Sequence, residues 1–244
     1  RNWRRAQRAD LANFQHQDAA WRDAVDNGRM SESPNLGAAL LDAFVAQVAR
    51  DGIDPAIGAL SARLGAADTN VELAQEVVAG LLARSHAGAT MAVVDTAIKR
   101  FPQALQLRYL RGNALRLSGQ PVAAESALRG VLELAAEHRE AAMSLAYLLR
   151  EQGLTLAASD VMIASLRARA ESLDETCAAL LFLRECGSYT QAYTLAQHAL
   201  QRWPDAAQIA ALAAEFALMV GEFDNARSCL RTAVAGNPDN AGCW

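Results

Sequence analysis

The stretch Glu215-Phe-Ala-Leu-Met-Val-Gly-Glu-Phe-Asp-Asn-Ala226 decides the fold of this chain. An apolar run ends on Gly221, and a small residue, Ala226, follows five positions later. A glycine just past a helix takes the left-handed conformation that ends it without steric cost, and an alanine early in the next helix lets the two helices approach closely. The same pair recurs as Gly187 with Ala192, Gly153 with Ala158 and Gly119 with Ala124, so the glycines are successively 34 residues apart. A fifth alanine of the series, Ala56, lies two periods before Ala124. Pro102, Pro204 and Pro238 share one slot of this frame, with Ala136 and Ala170 filling it in between. A proline there closes each unit, because a helix does not readily continue through it. Between these marks the apolar residues keep helical spacing, as in Leu145, Leu148 and Leu149, then Val161, Met162, Ile163 and Leu166. The period predicts a helix, a tight turn and a second helix in each unit.

Composition agrees with such an array. The 244 residues are 52% hydrophobic but only 6% aromatic, with 6 prolines. Ala and Leu dominate, which suits stacked helices and leaves few or no strands. A chain of this length exceeds the usual single core, and an elongated stack accommodates it. The net charge of −4 supplies no basic footprint for a nucleic-acid backbone, so DNA and RNA are not expected partners. Arg1, Arg4, Arg5 and Arg8 are the exception, and they read as a solvated helix face. No apolar run reaches membrane-spanning length, since even Ile209 to Val220 is interrupted by Glu215, and the expectation is a cytoplasmic chain without membrane insertion. Cys177, Cys186, Cys229 and Cys243 have no C-x-x-C spacing and read as reduced thiols.

The segment Leu110-Arg-Gly-Asn-Ala-Leu115, with Gly112 at its centre, and the set Gly221, Phe223, Ala226, Ala233 and Pro238 resemble the tetratricopeptide repeat family. The resemblance implies an all-α fold, a right-handed α-solenoid of antiparallel helix pairs. In this frame residues 105–240 make four repeats. Residues 37–104 make two degenerate ones. In the first of these the glycine is displaced to Gly52, and Asp54 and Pro55 are expected as cap and first-turn proline of the second helix. In the second, Ser85 replaces the glycine and Thr90 the alanine, so a distorted helix crossing is expected. Residues 1–36 read as a leading helix, with Leu11, Phe14, Trp21 and Val25 on one face, followed by a break at Met30-Ser-Glu-Ser-Pro34. That helix suits capping of the stack, docking on another domain or self-association through residues 1–28. Residues 241–244 look like the start of a further, truncated repeat. Trp244 would stand in its first helix, which makes the chain a piece of a longer polypeptide.

A stack of this kind curls so that its first helices line a concave groove. The resemblance implies that the groove-facing slots are Tyr109, Asn113 and Arg116, then Met143, Tyr147 and Arg150, then Cys177, Leu181 and Arg184. Arg116, Arg150 and Arg184 are successively 34 apart, so a regular stack sets them as a ladder along one wall. Arginine presents a planar fork of donors that matches carboxylates, and tyrosine gives rigid amphipathic contact area. Asn113 can bond a ligand backbone. The expected ligand is a protein or peptide segment of acidic character. The bland alternative is that the arginines are solvated residues balanced by Glu151 and Glu185, their neighbours in sequence.

Catalytic parts are missing from the pattern. His16, His86, His138 and His198 are scattered, and no G-x-S-x-G, H-E-x-x-H or phosphate-cradling loop is present. Cys177 shares its helix pair with no partner histidine positioned to activate it, and an apolar helix does not depress a thiol pKa. No enzyme activity, cofactor or metal is expected within the chain. The leading expectation is a peptide-binding scaffold. The other two are the substrate-recognition part of a larger bacterial sulfotransferase or protein glycosyltransferase, and an oligomerisation module.

Overall fold

A computed structural model describes residues 36–84, 86–168 and 172–236. The leading segment, the truncated final copy, Ser85, Ala170, Pro238 and Cys243 lie outside the described residues. Within them the chain forms twelve helices in six pairs and no strand. These are α1 (Leu36–Asp51), α2 (Ile53–Gly65), α3 (Val71–Ala83), α4 (Ala87–Arg100), α5 (Leu105–Leu117) and α6 (Pro121–Leu134). They continue with α7 (Arg139–Glu151), α8 (Thr155–Arg167), α9 (Leu173–Glu185), α10 (Tyr189–Arg202), α11 (Ala207–Val220) and α12 (Phe223–Gly236).

The periodic glycines end the first helix of each of the last four pairs. Gly119, Gly153, Gly187 and Gly221 have φ of 71, 78, 70 and 87°. The residue after each glycine donates its backbone N–H to the carbonyl five positions back. Gln120 bonds Leu115, Leu154 bonds Leu149, Ser188 bonds Leu183 and Glu222 bonds Ala217, at 3.0, 2.9, 3.0 and 2.8 Å. The four turns are therefore copies of one helix-closing motif, in which carbonyls that the helix cannot satisfy find donors just beyond it. His86 bonds Leu81 in the same way at 3.1 Å.

The alanine column does what its small size allows. Ala56, Ala124, Ala158, Ala192 and Ala226 are at most 1% exposed. Thr90 replaces alanine in this slot, is fully buried, and returns its hydroxyl to the His86 carbonyl at 2.9 Å. A polar side chain is thus accommodated at the crossing by bonding its own helix. Gly112 gives the closest approach of α5 to α6, for a Cβ there would stand 2.8 Å from Leu128 Cδ2.

The first two pairs pack differently from the rest. From α4 onward each second helix packs on the first helix of the next pair, so α4 meets α5, α6 meets α7, α8 meets α9 and α10 meets α11. In the first two pairs α1 lies along α3 and α2 along α4. Small residues permit this: a Cβ at Gly80 would collide with Leu41, and one at Gly37 with Glu76. The expected cap by Asp54 is not made. The helix starts at Ile53 with Gly52 in the capping position at φ 92°, and no side chain caps it. Asp54 instead lies in the first turn, where its charge complements the helix N-terminus.

The buried apolar residues form two patches. One runs from Leu41 to Leu110 and the other from Leu115 to Ala226. They meet on α5, where Tyr109 packs against both.

Candidate functional site

Helix α5 carries Tyr109, Asn113 and Arg116, α7 carries Met143, Tyr147 and Arg150, and α9 carries Cys177, Leu181 and Arg184. Contacts between successive first helices bring these side chains onto one face. The Tyr147 ring meets Phe182 of α9 edge-on at 5.2 Å. Arg150 lies 4.9 Å from the Tyr147 ring centre and 5.4 Å from that of Phe182. Tyr109 lies 5.3 Å from the ring of His138, which precedes α7 and accepts the Ala141 N–H on Nδ1 at 3.2 Å. Cys177 contacts Gln208 of α11, sulfur to Oε1, at 3.8 Å.

Each arginine reaches forward to a carboxylate of the next first helix. Arg116 pairs with Glu151 at 3.8 Å, Arg150 with Glu185, and Arg184 with Glu215 at 3.3 Å. Sequence adjacency had matched Glu151 with Arg150 and Glu185 with Arg184. Adjacent residues point about 100° apart around a helix, so the working partner comes from the neighbouring pair. Glu215 was not singled out by the repeat frame as a partner, because it sits 31 residues beyond Arg184 whereas the other two glutamates sit 35 beyond theirs. Its signal was only its slot, which it shares with Asn113, Tyr147 and Leu181.

The rest of the face is partly apolar and partly unsatisfied. Tyr147 and Leu181 are exposed at 36 and 39%, and Met143 is half-buried. Asn113 Oδ1 and Arg116 Nε are buried atoms without a hydrogen-bond partner among the described residues. An acceptor and a donor stripped of water in this way gain from any ligand group that completes them.

The thiols are poorly suited to nucleophilic chemistry. Burial, then the nearby Asp174 carboxylate, pushes the Cys177 thiol above its ordinary pKa. Burial also raises Cys229, and raises Cys186 against the opposing pull of its Ser159 hydrogen bond and the Arg150 charge. Among the described residues no group of three or more His, Cys, Asp or Glu comes together in a way that could hold a metal. No described helix is long and apolar enough to cross a membrane.

With twelve helices paired as described and four identical turns, the array meets a family pattern directly. The tetratricopeptide repeat model matches residues 183–244. Over that stretch the chain carries the tetratricopeptide repeat. The helical array as a whole is similar to the solved structure of the MamA protein, with a TM-score of 0.50 and 14% identity over 70% of this chain and 93% of that one. It is similar also to YrrB, a tetratricopeptide protein with an unusual peptide-binding site, with a TM-score of 0.50 and 13% identity over 83% of this chain and 96% of that one. No curated protein matches the chain in sequence. At these identities the likeness is one of fold: an all-helical solenoid.

Proposed function

We propose that the chain is a protein-binding scaffold whose first helices present a groove to an extended, acidic segment of a partner. The observation that carries this is the shared face itself. Arg116, Arg150 and Arg184 repeat in one slot, with the exposed Tyr147 and Leu181 beside them and unsatisfied polar atoms on Asn113 and Arg116. An extended peptide offers what this face lacks: backbone N–H and C=O groups for Asn113 and Arg116, apolar side chains for Tyr147, Leu181 and Met143, and carboxylates for the arginine forks. The YrrB fold relative, with its peptide-binding site, fits the same reading. On this reading residues 105–240 are the regular binding repeats and 37–104 two divergent ones. The chain binds and does not catalyse, and its free cysteines suit the reducing cytoplasm.

The test uses a fluorescently labelled glutamate-rich decapeptide and its glutamine counterpart, with binding followed by anisotropy. Arg150→Glu is expected to weaken the acidic probe by more than about 1 kcal/mol, since a hydrogen bond to a charged group is worth roughly that or more. Tyr147→Ala is expected to weaken both probes, because it removes contact area common to them. Equal binding by wild type and Arg150→Glu removes the arginine column from the function.

A further inference from the structure

The arginine column is occupied before any partner arrives. Every one of its three guanidinium groups holds a carboxylate from the following first helix, so the face is close to neutral where the repeat pattern alone suggests a positive stripe. The three glutamates are also free to leave. Glu151, Glu185 and Glu215 are 57, 56 and 44% exposed at the side chain. An exposed ion pair is worth little, because solvent screening and side-chain entropy consume most of the Coulomb attraction. Two of the arginines are held more firmly than their partners, since Arg150 lies over two rings and Arg116 is largely covered by its neighbours.

From this we propose that Glu151, Glu185 and Glu215 are built-in competitors, which set the specificity of the groove by occupying the positions that a partner's carboxylates take. The inference rests on the acidic-segment reading above and assigns it three further residues. A single carboxylate gains little by displacing a glutamate. A segment presenting several at the spacing of the repeats replaces the whole row at once and adds its backbone and apolar contacts. The competitors therefore reject isolated acids and admit only an acidic segment in the right register, a form of specificity that works by penalising wrong ligands. The three positions are not equal. The Arg116–Glu151 pair is the loosest, at 3.8 Å, and leaves Nε of Arg116 without a partner. Glu185, whose arginine is held in place over two rings, is the strongest competitor.

The experiment compares Glu151→Gln, Glu185→Gln and the double variant with Glu133→Gln, which makes the same change of charge at an exposed position on the second helix α6. Circular dichroism and thermal melts check that each variant is folded. The labelled glutamate-rich decapeptide is expected to bind the Glu185→Gln protein about three to five times more tightly, the gain from losing one exposed ion pair. The effect of Glu151→Gln is expected to be smaller, the double variant the tightest, and Glu133→Gln indistinguishable from wild type. Binding of the glutamine decapeptide should not respond to any of them. Equal gains from Glu133→Gln and Glu185→Gln, or no gain from the double variant, overturn the competitor role. If in the same assay Arg150→Gln still weakens the acidic probe, the groove reading survives that loss; if Arg150→Gln is silent as well, both fall.

Discussion

Gly153 sits at φ 78°, a region that a side chain with a Cβ enters only at a cost, although nothing lies within 4 Å of where that Cβ would go. The penalty for replacing it is therefore conformational and not steric. Gly153→Ala is expected to lower stability by about 1–2 kcal/mol, measured by urea unfolding, and Gly153→Asn by less, because asparagine tolerates the left-handed region. Cys177 offers a second test at this scale. Its raised pKa leaves less thiolate than a free cysteine has at the same pH, so alkylation by iodoacetamide should be slower at pH 8 than that of a free thiol. Urea-unfolded protein should react faster at pH 8. A folded Cys177 that reacts like a free thiol would remove burial as the controlling factor. The turn glycines and the buried alanines were legible in the sequence because each depends only on local backbone geometry. The arginine partners were not, because which glutamate an arginine meets is set by the rotation between pairs, a property that no single repeat contains.

Among the elements, α5 and α6 approach each other closely through Gly112. A Cβ at this position meets Leu128 at 2.8 Å inside a filled crossing. Gly112→Ala is expected to destabilise by about 1–3 kcal/mol through overpacking. The double variant with Leu128→Ala should cost less than the two single changes added together, since the second change makes room for the first. Strict additivity in that cycle would show that the two positions do not share one space. Helix α8 is the opposite case. A cleft of about 290 Å³ separates it from α6 and one of about 490 Å³ from α10, and its Val161 and Ile163 are only half-buried. Four of the buried polar side chains, Ser159, Ser165, Thr176 and Ser188, lie on α8, on α9 or just before α10, with Ser159 and Ser188 hydrogen-bonded at 2.7 Å. Amide hydrogen exchange is expected to be faster along α8 than along α7, whose Leu145, Leu148 and Leu149 are all buried. The packing of α1 on α3 and α2 on α4 escaped the periodic reading for a related reason. It depends on Gly37 and Gly80, which fall outside the 34-residue marks and are recognisable only through the neighbours they admit.

At the scale of the whole molecule, stability is carried by neighbours, since each pair touches only those next to it. The two buried patches that meet at Tyr109 make α5 the place where coupling between the halves is decided. The identical turns have a consequence of another kind. Because Gly119 and Gly153 close their helices with the same backbone bonds, the chain can be cut after each and rejoined, removing residues 120–153 and placing Leu154 where Gln120 stood. The new joint has the geometry of the old one. Such a shortened protein should fold to a helical array one pair shorter, with lower but still cooperative stability in a thermal melt. A deletion of half a period, which removes one helix of a pair, should not fold to such an array. The turns therefore act as interchangeable junctions, and a gene encoding them can gain or lose a unit by unequal recombination without first having to evolve a new connection.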